Sequence, residues 1–421
     1  MIVAVVFIVA IVVGVPIALM LGMCGVAHML VMDPSYLSAI GSKLFSSSNS
    51  LSMIAIPLFI LAGDLMGMSG DVKRLCDFFR VLLRHIKGSL CYVTVVLSAV
   101  LGASLGSANA EAALLGSILY PELKKDGYGE EFSANLIGAT SVIGPIIPPG
   151  LPYIIYGVAA GCSIKDLFMS GILPGILIAI SLCCMILFLG RKRDWPKGQP
   201  SSFKEIAIAF KNAAFSLLTP AITLICIMTG VCTPTEAAAV LATLILLVGM
   251  FIYRKIKIRD LPKVFIDAAI LSAACLMIGA LGGLFGYTLA LDQIPTLIAN
   301  FITGLSTNPY VVLLLINILL LFVGCLMDAV PAIMILVPVL SPVIANLNID
   351  PIHFGFIMCY NLTIGLLTPP VGSLLYTTAA ATNVGADRMI RTMWPWVGVL
   401  VIVLMIVTYF PPLTTWLPSI L

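Results

Sequence analysis

The sequence predicts an all-α, polytopic membrane protein built from two related halves, and three observations support this prediction. The chain has 421 residues, of which 61% are hydrophobic and 10% charged, with a mean hydropathy of +1.14, whereas a typical soluble domain has about 25% charged residues. One pattern occurs twice, at Gly144–Pro149 and at Gly365–Pro370. Uncharged runs are long enough to cross about 30 Å of hydrocarbon as helices, namely Leu167–Gly190, Asn212–Thr235, Ala268–Leu291 and Thr392–Leu421.

The repeat extends beyond these two motifs. Pro148 and Pro369 are 221 positions apart, and the same shift aligns three further pairs without a gap: Pro121 with Pro342, Asp166 with Asp387, and Pro174 with Pro395. Chance recurrence of Gly and Pro in apolar sequence is the simpler explanation, but both spacing and order hold. A doubled apolar half with a Pro-Pro break inside a span is typical of secondary transporters whose site lies at the repeat interface.

The apolar runs are continuous rather than alternating, which favours helices over a membrane β-barrel. The net charge of +3 indicates no nucleic-acid partner, because the basic residues are confined to connecting loops. The 11 cysteines are scattered without metal spacing, so we expect no disulfide framework. Met1–Val31 has no cation before its apolar stretch, and it indicates a retained span, or a tight pair broken at Gly14–Pro16, rather than a signal peptide.

Loop charges predict the orientation. The positive-inside rule places three basic clusters in the cytoplasm, and they begin at Lys73, Arg191 and Arg254. An even number of crossings must separate these clusters, while a single crossing follows the third. The block from Asn308 to Ile344 therefore starts from the opposite membrane face to its repeat partner, Gly88–Lys125, and the two halves are predicted to be inverted.

Four segments follow from this organisation. Residues 1–87 are predicted to form scaffold helices and an amphipathic arm, and residues 88–190 the first transport half, with a re-entrant hairpin and a Pro-Pro broken helix. Residues 191–307 are predicted to form a cytoplasmic linker and further scaffold helices, and residues 308–421 the second transport half. In the arm, Asp71–Lys87, apolar residues recur at helical spacing, as in a helix lying along the lipid interface. The alternative is an ordinary cytoplasmic loop helix.

The re-entrant hairpins carry the candidate chemistry. The first turns within Gly102–Glu111 and the second within Gly324–Pro331. Non-helical backbone at membrane depth survives only where it lines a cavity or is buried in protein. Its carbonyls and short side-chain oxygens suit a hard cation such as Na⁺, while freed helix N-termini attract anionic groups. Each Pro-Pro segment also removes helical partners from nearby carbonyls, although the alternative for each is a purely structural kink.

Two candidate sets result. The predicted Na⁺ ligands are Ser104, Ser107, Asn109, Gly144, Gly324, Asp328, Gly365 and Thr368. The predicted substrate contacts are Asn109, Thr140, Ser141, Pro148, Pro149, Thr363, Pro369 and Pro370. Asp328 is the strongest single candidate, because a lone carboxylate inside a span is costly and therefore functional by default. Asp64, Glu111 and Glu236 are weaker, and Glu111 and Glu236 fit equally the first turn of a helix, where the dipole favours an anion.

Four ordered motifs resemble the large membrane subunit of TRAP transporters, the DctM/SiaM-like component of tripartite ATP-independent periplasmic systems. They are Ile56–Asp64, Gly144–Pro149, Thr233–Ala239 and His353–Gly355, and they span essentially the whole chain. Departures are mild: Asp64 stands where the family usually has Glu, and Asn109 and Gly150 stand where Ser is common. These departures make the side-chain assignments at the first tip less certain.

The resemblance implies an inverted-repeat, elevator-type fold with two helical hairpins in the bacterial inner membrane. It also implies Na⁺-driven uptake of an organic acid, such as sialic acid or a C4-dicarboxylate. Two partners are implied, a small four-helix membrane subunit, expected as a separate chain, and a periplasmic substrate-binding protein. A stand-alone sodium-coupled dicarboxylate carrier of the same superfamily is the alternative. An intramembrane enzyme is disfavoured, since His28, His85 and His353 pair with no Ser or Cys motif.

Overall fold

The computed structural model describes residues 2–191, 193–306 and 308–420, and within these ranges helices are joined by short connections. Seven described helices are long and apolar enough to cross a membrane, and a pair bent by 58°, Ala386–Thr392 with Trp394–Tyr409, can form an eighth crossing. The all-helical, polytopic class is therefore confirmed. The seven helices are Leu51–Ser69, Ile164–Gly190, Phe203–Met228, Pro234–Ile252, Ile258–Leu291, Pro309–Leu326 and Ala329–Asn346.

The N-terminal segment begins with two helices that pack together and are broken at Gly14, where φ is +77°, and at Pro16. This matches the broken-pair alternative for the N-terminus. A left-handed Gly70, with φ of +78°, ends the fourth helix and turns the chain into the arm. The five helices are α1 (Ile2–Val13), α2 (Ile17–Met32), α3 (Ile40–Ser48), α4 (Ala55–Ser69) and α5 (Asp71–Leu83).

The arm α5 is one turn shorter than predicted, because the helix ends at Leu83. Its first residue is anchored: the buried Asp71 carboxylate accepts hydrogen bonds from Ser69 and from Ser216 of a later helix. Burial raises the pKa of Asp71 above its ordinary value, while the Ser216 and Ser69 hydrogen bonds oppose the rise. The Arg74 guanidinium lies 3.7 Å from the centre of the Tyr253 ring. The start of the arm is therefore held by residues of the middle segment.

The first repeat half contains a helical hairpin and a broken helix. Ser107 caps the second hairpin helix by accepting a hydrogen bond from the Ala110 amide, so the tip lies at Gly106 and Ser107. The broken helix has a cis peptide bond between Pro148 and Pro149. The five helices are α6 (Ser89–Leu105), α7 (Ala108–Lys125), α8 (Glu130–Ser141), α9 (Leu151–Ala160) and α10 (Ile164–Gly190).

The middle segment adds four helices. The carboxylate of Glu236 accepts a hydrogen bond from the Thr233 amide at 2.8 Å, and the Glu236 amide donates back to Thr233 Oγ1 at 3.3 Å. This reciprocal capping is the structural role that the sequence left open for Glu236. The helices are α11 (Phe203–Met228), α12 (Pro234–Leu247), α13 (Leu261–Leu291) and α14 (Ile294–Leu305). A single π-helical turn, Val248–Ile252, extends α12.

The second half repeats the first. Its cis peptide bond joins Pro369 to Pro370, and the long uncharged run after Thr392 is interrupted around Phe410 and Pro411 instead of forming one helix. The helices are α15 (Pro309–Leu326), α16 (Ala329–Asn346), α17 (Pro351–Leu367), α18 (Ser373–Thr382), α19 (Ala386–Thr392), α20 (Trp394–Tyr409) and α21 (Pro412–Ile420).

The repeat seen in the sequence is also a repeat of structure. A shift of 221 positions carries α7 onto α16 at both ends and one cis bond onto the other. Helices of the two halves pack against each other, since α7 contacts α18 and α9 contacts α16. The same shift places α5 over α14, and Asp71 over Asp292, whose carboxylate lies 2.8 Å from His28 Nε2. We did not predict this second arm from the sequence. The inversion of the halves remains a prediction from loop charges.

Candidate functional site

Each hairpin tip is tied to the break in the broken helix of its own half. The Leu151 amide donates to the Gly106 carbonyl at 3.3 Å, and the Gly372 amide donates to the Cys325 carbonyl at 3.0 Å. Both donors immediately follow the cis-proline segment. The two halves therefore build the same junction, in which a tip and a helix break share backbone hydrogen bonds.

Glycine residues allow the backbone segments at these junctions to approach each other closely. A Cβ atom at Gly102 would lie 2.7 Å from the Gly144 carbonyl oxygen, and one at Gly365 would lie 2.5 Å from Gly324 Cα. Gly144 also packs directly against the Glu111 carboxylate. These contacts explain why small residues occupy the predicted sites: the backbone segments touch without intervening side chains.

Three oxygens near the first tip are buried and have no hydrogen-bond partner among the described residues: Ser104 Oγ, Asn109 Oδ1 and Glu111 Oε2. Asn109 Nδ2 donates to Ser373 Oγ at 3.1 Å, which joins the first tip to the start of α18. Buried polar atoms are normally paired. These three oxygens are therefore free to accept a further contact.

Glu111 is fully buried beside the first helix break. Its other carboxylate oxygen lies within hydrogen-bond distance of Ser98 Oγ, and Ser98 Oγ also lies 2.5 Å from the Thr140 carbonyl. These contacts connect α6, α7 and α8. Glu111 is a weaker candidate in the sequence than Asp328, and its signal there is the cost of a carboxylate in an apolar segment.

Three of the predicted substrate contacts hydrogen-bond within their own helices. The hydroxyls of Thr140 and Ser141 both donate to the Ile137 carbonyl, at 3.1 Å and 2.8 Å, and that of Thr363 donates to the Cys359 carbonyl at 2.7 Å. Ser and Thr commonly bond back to the preceding helical turn in this way. The hydroxyl protons of these three residues are therefore donated within their own helices, and the oxygens keep lone pairs that can still accept.

The carbonyls freed by the prolines are partly occupied too. Tyr153 donates its hydroxyl to the Ile146 carbonyl, and Tyr376 to the Pro370 carbonyl, both at 3.1 Å. Thr368 Oγ1 donates to the Gly365 carbonyl at 2.8 Å. The first cis-proline pair is buried, whereas Pro370 is exposed. The two breaks thus share a backbone plan but differ in solvent access.

A central cavity of about 580 Å³ lies between the two tips. Ser107 and Asn109 reach it from the first tip and Asp328 from the second, while Asp64 of α4 and Cys275 of α13 contribute further walls. Of the predicted residues, the structure brings Ser107, Asn109 and Asp328 together around this cavity. The other predicted residues do not line it, and they are Ser104, Thr140, Ser141, Gly144, Pro148, Pro149, Gly324, Thr363, Gly365, Thr368, Pro369 and Pro370.

The α13 wall of the cavity was missed by sequence reasoning. Leu271, Cys275 and Ile278 line it, but such apolar residues recur throughout the chain and give no local signal. Among the described residues, no group of three or more His, Cys, Asp or Glu side chains is arranged as a metal site.

The shared cavity leads to a distance prediction. Cysteines introduced at Ala110 and Val330, which line the cavity from opposite tips, should be joined by a short bifunctional thiol reagent. The measurement is mass-spectrometric detection of the joined peptides in a background lacking the native thiols. A pair at Ala110 and Ile180, which lines a separate groove between α6 and α10, is the control. Equal yields for both pairs would contradict the juxtaposition.

The family model of the tripartite ATP-independent periplasmic transporter, DctM component, matches residues 4–413. The chain belongs to this family. The resemblance inferred from the sequence motifs is therefore confirmed, as is the expectation that the protein is not an enzyme. With its apolar helices, this family member is a multi-pass protein of the bacterial inner membrane.

Named relatives span different organic acids. The chain is 36% identical over 399 residues to the C4-dicarboxylate TRAP transporter large permease protein DctM of Pseudomonas aeruginosa, covering 95% of this chain and 93% of that protein. It is 33% identical over 407 residues to the sialic acid TRAP transporter large permease protein SiaM of Vibrio cholerae, covering 97% and 95%. The fold also resembles that of the Alcanivorax borkumensis YdaH transporter, with a TM-score of 0.62 at 13% identity, over 92% of this chain and 89% of that one.

Proposed function

We propose that this large permease subunit imports an organic acid together with Na⁺, driven by the sodium gradient. The observation that supports this most directly is the central cavity, where two tips tied to cis-proline breaks present Ser107, Asn109 and Asp328 to one space. Asp328 supplies a negative charge for the cation. The N-termini of α7 and α16 begin beside the cavity, at Ala108 and Ala329, and their dipoles favour the substrate carboxylate.

The proposed movement is of the elevator type. In this scheme the two halves that hold the tips, residues 88–190 and 308–421, move as a unit against the scaffold helices. The paired arms α5 and α14 support the scheme, because they occupy equivalent positions before each hairpin and each is anchored through an aspartate at its start, Asp71 and Asp292.

The proposed partners are a small four-helix membrane subunit and a periplasmic substrate-binding protein. The family is described as tripartite, which supports both partners over the stand-alone dicarboxylate carrier. Scaffold helices α11 and α13 leave large apolar side chains exposed, including Ile222, Ile225, Ile266 and Ile270. Lipid or a membrane partner must cover such faces.

The function is tested by uptake into proteoliposomes containing all three components and a panel of radiolabelled organic acids. An inward sodium gradient should drive accumulation, and a protonophore that collapses only the proton gradient should leave it intact. Equal uptake in sodium-free buffer would contradict the sodium assignment. Failure to take up any acid under a sodium gradient would contradict the transport assignment itself.

A substitution at the second tip tests the role of the carboxylate. Asp328→Asn keeps the side-chain shape and removes the charge, so the sodium concentration for half-maximal uptake should rise by about tenfold, equivalent to roughly 1.4 kcal/mol of lost cation stabilisation. Asp77→Asn, at an exposed acid of the α5 arm, is the matched control and should leave the sodium dependence unchanged. An unaltered dependence in Asp328→Asn would remove Asp328 from the site.

A further inference from the structure

A second cavity of about 550 Å³ adjoins the central one, and we call it the vestibule. It is lined by Asp64, Met68, Arg259, Asp260, Lys263 and Asp267. Asp64 lines both cavities. Asp64 therefore lies where the central cavity and the vestibule meet.

Helices α4 and α13 each line both the central cavity and the vestibule. On α4, Ile60 and Gly63 face the central cavity and Met68 faces the vestibule. On α13, Asp267 faces the vestibule, and Leu271 to Ile278 contribute to the central cavity. Residues 267 to 278 of a helix extend over roughly 16 Å. The two cavities thus follow one another along the facing surfaces of α4 and α13.

The charges in the vestibule fit a water-filled passage. Among the described residues, Asp64, Asp267, Arg259 and Lys263 form no ion pair. Asp64 and Asp267 lie on apolar helices, where an unpaired carboxylate is stable only if it faces water or a cation. Arg259 and Lys263 belong to the third basic cluster, which the positive-inside rule assigns to the cytoplasm.

We propose that the vestibule is the route by which the transported cation leaves the central cavity for the cytoplasm, with Asp64 at its neck. This inference rests on the proposed transport function. Asp64 and Asp267 give the cation a stepwise path from Asp328 to the mouth of the vestibule, where Arg259 and Lys263 lie. Asp64 is therefore a positioning residue for release rather than a ligand in the tip junctions.

The native thiol of Cys275 provides a reporter, because it lines the central cavity beyond the neck. Membrane-impermeant methanethiosulfonate reagents, one cationic and one anionic, are applied to inside-out membrane vesicles and, separately, to spheroplasts containing the whole transporter. Peptide mapping by mass spectrometry follows Cys275 individually, so the other thiols remain in place. The fully buried Cys359 is the internal negative control.

Cys275 should be labelled in inside-out vesicles faster than in spheroplasts, and the cationic reagent should react faster than the anionic one. Asp64→Asn should lower the cationic-to-anionic rate ratio severalfold, because a carboxylate at the neck concentrates cations. Asp77→Asn, in the arm outside the route, should leave that ratio unchanged.

Labelling of Cys275 only from the periplasmic side, or a rate ratio unaffected by Asp64→Asn, would overturn the route. Neither measurement needs substrate or a sodium gradient. If uptake fails while labelling behaves as expected, the proposed function fails and the passage stands. If uptake succeeds while labelling does not, the transporter assignment stands and the route is wrong.

Discussion

Uptake by this subunit alone should stay at background, and adding both the small membrane subunit and the matching binding protein should raise it by at least an order of magnitude. The physical reason is local concentration: a docked binding protein delivers its ligand at the cavity mouth, so the second encounter becomes effectively intramolecular. The measurement is initial uptake rate in proteoliposomes containing one, two or three components.

The controls separate docking from ligand supply. A non-matching binding protein that carries the same acid should work poorly, because delivery needs a complementary surface as well as a ligand. Robust sodium-driven uptake by the isolated chain would overturn the tripartite proposal and place the protein among stand-alone carriers.

Alanine at the junction glycines should abolish transport and lower thermal stability. At Gly365 the added Cβ meets the Gly324 backbone at 2.5 Å, and at Gly144 it meets the Glu111 carboxylate. Overpacking of this kind typically costs about 1–3 kcal/mol, and at Gly365 the backbone on both sides of the contact leaves little room for relief. The measurements are uptake rate and the midpoint of thermal unfolding in detergent.

Gly398→Ala is the matched control, since nothing lies within 4 Å of a Cβ at this position of α20. Replacing an unconstrained helical glycine should hold or slightly raise stability. Wild-type uptake and melting in Gly365→Ala would show that the second tip does not need its close backbone contact.

The broad plan of this protein follows from residue order. Membrane-spanning helices form where an apolar run, as a helix, is long enough to cross the bilayer. The paired breaks occur at Pro148–Pro149 and Pro369–Pro370 because proline removes the same hydrogen bond in each half. The 221-residue repeat holds to the residue at α7 and α16. Four ordered motifs were enough to identify the family, and the match over residues 4–413 bears this out.

Less of the site was predictable. Thr140, Ser141 and Thr363 have suitable oxygens near the right breaks, but each bonds to its own helix. The direction in which a hydroxyl donates its proton depends on its rotamer and surroundings, which composition does not encode. Glu111 and Asp64 were recognised as costly carboxylates, but their neighbours were not predictable from spacing.

The sequence by itself determined the membrane class, the doubled architecture, the broken helices and the family, because each rests on local or periodic chemistry. Only the tertiary structure decided which atoms share a space. It placed Ser107, Asn109 and Asp328 around one cavity, and it added α4 and α13 as walls with Asp64 between two cavities. Such walls come from packing between helices distant in the chain. In the sequence, an apolar residue that lines a cavity cannot be told apart from one that faces lipid.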